Sequence, residues 1–364
     1  MSTETLKALF RPELDELSAY RVPPAPPAVK LDANESPFPL PPEARARIAA
    51  VLHAAELRRY PDGRATKLRE ALARGLGGSI DEYVIGAGSD ELISLLATAM
   101  SRPRSGAERP VVVFPEPTFV MYGMTSRAHG WQPVGVPLDD AWDLDANAMA
   151  ETLERTKPNV VYYASPNNPT GNCFSRDKIE ELVESFPDTL HVIDEAYGAY
   201  SGQSFATFTE RHLQCALMGT LSKVGFAGIR VGWVRVDETL AQELEKVRQP
   251  FNLNTASQEI ATLALTDFAP LLEEHVTVIV EERERMATEL ARYPALRSFP
   301  SDANFLLVEY SGNVPKLCSA LLDREIAVRQ FSSGGPRLQK CIRVTIGTPE
   351  ENQRFVEALG DILG

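Results

Sequence analysis

Cysteine is scarce in this chain of 364 residues: Cys173, Cys215, Cys318 and Cys341 stand far apart, with no C-x-x-C pair and no histidine at metal-ligand spacing. That argues against a disulfide framework or a cysteine-built metal site and points to free thiols in a reducing compartment. Long hydrophobic runs are missing as well. No uninterrupted apolar stretch approaches the roughly 18 residues that cross a bilayer, and residues 1–10 lack a basic segment followed by an apolar one. A cytoplasmic location without a membrane partner is the expectation. Basic residues are in deficit, 37 against 50 acidic ones, for a net charge of -13, which argues against a nucleic-acid partner and an anionic membrane surface. A small anion is still admissible, because local basic side chains outweigh the global charge inside a cleft. No internal repeat is present.

The apolar share, 44%, is that of a globular chain with a large core, and the length suits about two domains. Residues 20–29, Tyr-Arg-Val-Pro-Pro-Ala-Pro-Pro-Ala-Val, favour extended polyproline geometry and read as an arm or linker. Beyond it, helical periodicity at Glu43–Leu57, Thr66–Gly75, Asp90–Met100 and Arg176–Phe186 alternates with short apolar runs. The runs are Tyr83–Ile85, Val111–Phe114, Val160–Ala164, His191–Ile193 and Val231–Val236. Continuous apolar runs between helices predict strands buried on both faces of a mostly parallel sheet, hence a doubly wound α/β domain. Ala256–Arg292 predicts two long helices, followed by strands at Asn304–Glu309 and Cys341–Ile346 and a closing helix at Pro349–Leu363, which suits a smaller α+β domain. The expected division is an N-terminal arm over 1–42 that joins the small domain, a large domain over 43–260 and a small one over 261–364.

The segment Thr220-Leu-Ser-Lys-Val-Gly-Phe-Ala-Gly-Ile-Arg-Val-Gly-Trp233 sets one lysine, Lys223, in an apolar, glycine-rich loop, with Arg230 seven residues later. Desolvation disfavours the ammonium form, and a Schiff-base nucleophile needs a neutral amine; a solvated surface lysine is the alternative. In His191-Val-Ile-Asp-Glu-Ala-Tyr197, acidic residues end a buried strand, where open α/β sheets bind ligands. Asp194 there could hold a protonated ring nitrogen and keep the ring electron-poor, or Asp194 or Glu195 could merely cap the next helix. Ala164-Ser-Pro-Asn-Asn-Pro-Thr-Gly171 is a turn by composition and also sets Asn168 at a strand's C-terminal edge as a donor. Gly86-Ala-Gly-Ser-Asp-Glu91 leads into a helix, so its backbone N–H groups can meet an anion, with Ser89 or Asp90 as an N-cap in competition or in addition. No third glycine follows, so a dinucleotide fingerprint is absent. Arg329 and Arg343 lie in apolar strand-like segments, a costly placement unless each pairs with an anion; a structural ion pair would serve equally.

Asn168, Asp194, Tyr197, Lys223 and Arg230 occur in the order and approximate spacing of fold-type I aminotransferases. Together with Leu31-Asp-Ala-Asn-Glu-Ser-Pro-Phe38, Arg59-Tyr-Pro-Asp62, Pro117-Thr-Phe119 and Cys341-Ile-Arg-Val-Thr-Ile-Gly347, they make the chain resemble the histidinol-phosphate aminotransferase family over residues 20–360. The resemblance implies pyridoxal 5'-phosphate as cofactor, bonded to Lys223, with Asp194 on the pyridine nitrogen, Asn168 and Tyr197 at the ring hydroxyl and Phe119 stacked on the ring. It implies a cofactor phosphate on the backbone at Ser89 and Asp90, with side chains from Ser222, Arg230 and Thr220, and with Tyr60 reaching across a homodimer whose active sites are shared. Arg329 and Arg343 would take the phosphate of histidinol phosphate, Tyr20 and Asn34 would line the substrate pocket, and 2-oxoglutarate would accept the amino group to give glutamate. An aromatic or broad-specificity aminotransferase and a threonine-phosphate decarboxylase-like lyase share these motifs. A non-catalytic cofactor-binding regulator lacks support, because no helix-turn-helix or basic extension is present. Two departures stand out. Many members place one residue more between lysine and arginine, and tyrosine is frequent where this chain has Phe119.

Overall fold

The computed structural model describes residues 3–16, 27–104 and 106–364; Tyr20 and most of the proline-rich arm lie outside the described residues. Among the described residues twelve strands form: β1 (Val29–Leu31), β2 (Tyr83–Gly86), β3 (Val111–Glu116), β4 (Gln132–Pro137), β5 (Val160–Ala164), β6 (Leu190–Asp194), β7 (Cys215–Thr220), β8 (Gly232–Arg235), β9 (Leu296–Ser298), β10 (Phe305–Tyr310), β11 (Ile326–Gln330) and β12 (Cys341–Thr345). They make two sheets. The larger has the order β2-β8-β7-β6-β5-β3-β4; six strands run one way, and β8 alone runs against its neighbours β7 and β2.

The apolar runs have the two-faced burial that their composition predicts. Val112, Tyr162, Val192 and Ala216 pack on one side with the helices Ser89–Ala99 and Glu238–Val247. Their chain neighbours Val113, Val161, Ile193 and Leu217 pack on the other with Ala146–Thr156 and Arg176–Ser185. With both faces covered, alternation in polarity vanishes and each strand reads as a continuous apolar run. Strand β7, unmarked in the sequence, is Cys-Ala-Leu-Met-Gly-Thr and carries no valine or isoleucine. Its Gly219 faces Trp233 on β8 so closely that a Cβ would come within 2.6 Å of that ring.

The smaller sheet has the order β1-β11-β12-β10-β9. Strand β1 pairs in parallel with β11, Val29 opposite Ile326, which ties the N-terminal segment into this sheet. The helices Ala269–Leu290 and Pro349–Leu363 cover it through Ile279, Met286, Leu290, Phe355 and Leu359. A capping box, Thr348 with Glu351, and a proline at the first turn start the last helix where the sequence pattern begins it. The two helices expected over Ala256–Arg292 are Thr255–Leu265 and Ala269–Leu290. The helix expected to reach Leu57 stops at Ala54.

One joint between the sheets matters for the site. Trp142, in the loop after β4, is 4% exposed and enters an apolar cluster with Leu307 and Cys341 of the smaller sheet and with Phe299 and Leu338 from segments flanking its strands. Arg337 lies 3.4 Å above the Trp142 ring and donates to the carbonyls of Asp139 and Asp140. Cys341 opens β12, so this clamp fixes the strand that carries Arg343 against the larger sheet. Trp142→Ala is expected to cost about 3–5 kcal/mol in denaturant unfolding through the cavity it leaves, and Arg337→Ala about 1–2 kcal/mol through the lost cation–π contact.

Candidate active site

The C-terminal ends of β5, β6 and β7 deliver three of the expected residues. Asp194 is the last residue of β6 and is 4% exposed. Its Oδ2 accepts from Tyr122 Oη at 2.7 Å and its Oδ1 from the Ala196 N–H at 2.9 Å. Burial pushes this carboxyl up to about 6, although both hydrogen bonds and the nearby Lys223 charge pull it down. The neighbouring Glu195 rises to about 7, again through burial. It accepts from the Phe205 N–H and from Ser204 Oγ at 3.0 Å, so it pins the loop after β6 and leaves Asp194 to the crevice.

Lys223 follows β7 in a kinked turn over Ser222–Phe226, where Gly225 has φ +109°, a value that suits glycine alone. A short helical turn, Ala227–Ile229, then leads to Arg230 at φ +54°. The lysine is half-buried, with Nζ 5.6 Å from the centre of the Tyr197 ring, and its carbonyl accepts from Tyr200 Oη at 2.6 Å. Within the seven-residue spacing, Gly225 and Arg230 both take positive φ, and the arginine reaches the helix start at Gly88.

That start is an anion cradle. Gly88, not Ser89 or Asp90, occupies the N-cap of Ser89–Ala99, with φ +89° and no side-chain cap bond, so the serine and aspartate are the first two helical residues. This corrects the expectation of an N-cap at Ser89 or Asp90: the cap position needs a positive φ, which glycine adopts without strain. A Cβ on Gly88 would come within 2.7 Å of Arg230 Nη2, and one on Gly232 within 2.9 Å of the Ser89 nitrogen. Backbone amide and guanidinium therefore converge where only glycine leaves room. Arg230 Nη2 also lies 3.4 Å from Asp90 Oδ2. Buried Thr220 and Ser222 lie 2.9 Å apart through their hydroxyls, and Thr220 Oγ1 is also 2.9 Å from the carbonyl of Val231, the residue after Arg230.

The third wall comes from the smaller sheet. Arg343, in the middle of β12, is 8% exposed; it donates to Asn168 Oδ1 at 2.7 Å and to the Asp32 carbonyl at 2.6 Å. With Oδ1 engaged, Asn168 has its Nδ2 left as a donor. Directly across the ladder from Arg343 stands Arg329 of β11, exposed. Two like charges facing each other on paired strands are unfavourable without an anion between them. Thr345, two residues on, holds Asn34 through the Asn34 N–H at 2.9 Å, and Asn34 Nδ2 donates to Tyr197 Oη at 2.9 Å. Asn34, 1% exposed with φ +55°, thus bridges the two sheets.

Phe119 is half-buried and meets Tyr122 edge-on, with centroids 5.5 Å apart. Tyr60 is remote from this cluster within one chain: it is 82% exposed and stacks on Phe251 at 4.6 Å. Sequence reasoning missed Tyr122, the Asp32 carbonyl and Tyr200. Tyr122 had a usable signal, since its spacing of three from Phe119 puts both rings on one side of a helical turn. The donor set, an amine near a buried carboxylate and a helix-start cradle with an arginine, fits a ligand that combines an aldehyde, a protonated ring nitrogen and a phosphate.

The comparisons with known proteins point to one family. The family model described as aminotransferase class I and II matches residues 26–359. A histidinol-phosphate aminotransferase of Aquifex aeolicus is 40% identical over 346 residues, 95% of this chain and 96% of that one. Another, of Nitrosococcus oceani, is 37% identical over 99% of this chain and 98% of its own. Among solved structures, the histidinol-phosphate aminotransferase of Sinorhizobium meliloti in complex with pyridoxal-5'-phosphate superposes with a TM-score of 0.86 at 25% identity, covering 97% of each chain. With both sheets and the described site residues inside the matched span, the chain belongs to the class I and II aminotransferase family.

Proposed function

We propose that this protein is a pyridoxal 5'-phosphate-dependent aminotransferase that moves the amino group of histidinol phosphate to 2-oxoglutarate, giving imidazole-acetol phosphate and glutamate in histidine biosynthesis. The observation that carries the reading is the buried Asp194 carboxylate at the end of β6, within electrostatic reach of Lys223 in the turn after the adjacent β7, together with the Gly88–Ser89 cradle and Arg230. When bound, the cofactor supplies an electron sink that makes a Cα proton labile.

The chain's own residues do the rest. Asp194 holds the pyridine nitrogen in its protonated form. The backbone at Ser89 and Asp90, with Thr220, Ser222 and Arg230, takes the cofactor phosphate on a helix N-terminus. Asn168 and Tyr197 would face the ring hydroxyl, and Phe119 would cover the ring. Lys223 would hold the cofactor's aldehyde through its amine, and when that amine is free its Nζ would be the base that accepts the proton from the substrate's Cα. Arg329 and Arg343 would hold the substrate phosphate, a dianion that suits two guanidiniums, with Asn34 lining the same pocket. The exposed patch of Leu57, Tyr60 and Phe251 is read as a homodimer contact that brings Tyr60 to the partner's cofactor phosphate, and the protein as cytoplasmic.

The direct test mixes purified protein, cofactor, histidinol phosphate and 2-oxoglutarate and measures glutamate. Histidine and phenylalanine serve as alternative donors, and threonine phosphate tests for release of carbon dioxide. Preferred turnover of histidinol phosphate is expected; preferred carbon dioxide release would replace the reading with a lyase. Lys223→Ala is expected to bind the cofactor yet lose roughly 10²–10⁴-fold or more of the half-reaction rate. Arg329→Ala is expected to raise KM for histidinol phosphate about tenfold or more, with a smaller effect for donors lacking a phosphate.

The buried carboxylates give a pH test. Asp194 binds a proton more tightly folded than unfolded, so its contribution to stability is fully present below about pH 4 and is lost as pH rises through about 6. The cofactor-free protein should therefore lose on the order of 2–3 kcal/mol across that window, in addition to the loss that the Glu195 carboxyl, pushed up to about 7, causes by the same route. Asp194→Asn should remove the Asp194 share, as read by the unfolding midpoint at each pH.

A further inference from the structure

Tyr122 is fully buried, and its ring lies flat on Tyr162, centroids 4.4 Å apart and planes at 4°, while Phe119 meets it edge-on. Two aromatic neighbours fix the ring, so the hydroxyl has one direction to point. That direction is Asp194 Oδ2, 2.7 Å away. The other carboxylate oxygen accepts from the Ala196 N–H, leaving Tyr122 as the one side-chain donor to Asp194 among the described residues. Burial and the Asp194 charge hold the phenol well above its usual range, so the proton stays on Tyr122 and the carboxylate accepts. A donor bound in this sense favours the ionised carboxylate against the cost of burial. Of the other groups facing it, Lys223 works in the same direction, Asp90 and Glu195 oppose it, and the Tyr162 phenol, held up by burial, keeps its proton.

We propose that Tyr122 is a positioning residue whose hydroxyl keeps the Asp194 carboxylate oriented and ionised, so that the proton shared with the cofactor's pyridine nitrogen resides on the nitrogen. The inference rests on the role given to Asp194 above. No net transfer is involved: without the phenol the carboxylate becomes the stronger base, the same proton moves from nitrogen to Asp194, and the neutral ring withdraws electrons less.

Tyr122→Phe keeps both ring contacts and removes only the donor. The readout is the ¹⁵N resonance of holoenzyme carrying cofactor labelled at the pyridine nitrogen, followed from pH 6 to 9. Wild type and Tyr162→Phe, which removes a neighbouring phenol not hydrogen-bonded to Asp194, should show a protonated nitrogen. Tyr122→Phe should shift toward the neutral signal at lower pH, with kcat down about tenfold, the worth of one charge-assisted hydrogen bond, and KM little changed. A nitrogen in Tyr122→Phe that stays protonated over the same range as wild type overturns the inference alone. A wild-type nitrogen already neutral at pH 7 overturns the Asp194 assignment with it. A second readout needs no cofactor: the pH at which the ligand-free protein loses stability should move upward in Tyr122→Phe, and the shift should vanish in the Asp194→Asn background. An unmoved midpoint overturns the proposal even for a variant that fails to hold the cofactor.

Discussion

A carboxylate taken out of water is the constraint around which this site is arranged. Burial alone would neutralise Asp194, and a neutral acid cannot hold a protonated ring nitrogen. The fold answers with a phenol on one oxygen, a backbone N–H on the other and an ammonium within electrostatic reach. Each answer comes from a different element: Tyr122 from the helix after β3, Ala196 from the turn after β6, and Lys223 from the turn after β7. The parallel order of β5, β6 and β7 puts their C-terminal ends side by side, which is why residues distant in sequence share one crevice.

The second requirement is that a smaller sheet bring its arginines to the same crevice and keep them there. Strand β12 carries Arg343 inward, and Arg329 faces it across the ladder. The strand is held at one end by the Trp142–Arg337 clamp and at the other by the Thr345–Asn34–Tyr197 chain of hydrogen bonds. The position of Arg343 is therefore set from both sheets. Asn34 belongs to a segment that reaches the smaller sheet through β1, so the N-terminal stretch helps shape the site although it lies far from Lys223 in sequence.

Much of the fold was legible because its physics is local. Valine-rich runs such as Val111–Val113 can satisfy only a strand buried on both sides, and the proline, threonine and glutamate at the start of Pro349–Leu363 announce a helix N-terminus before any tertiary contact is known. Strand β7 escaped because cysteine, alanine, leucine and methionine carry no strand signature. Its conformation follows from the strands on either side and from a glycine fitted under Trp233. The helix N-cap was misplaced for a related reason: Ser89 and Asp90 are good capping residues, but the tight approach of Arg230 and Gly232 admits only a glycine at the cap.

The sequence by itself determined the chemical inventory: a lysine in a glycine-rich turn, an aspartate at a strand end, a helix start that can meet an anion and two arginines in strands. Those assignments rest on residue type and nearest neighbours, which a linear chain displays in full. Tertiary structure alone decided that the two arginines face each other, that Asn34 spans both sheets and that Tyr122 is the donor to Asp194. Each of those facts is a contact between segments whose separation in sequence bears no relation to their distance in space, and packing sets that distance.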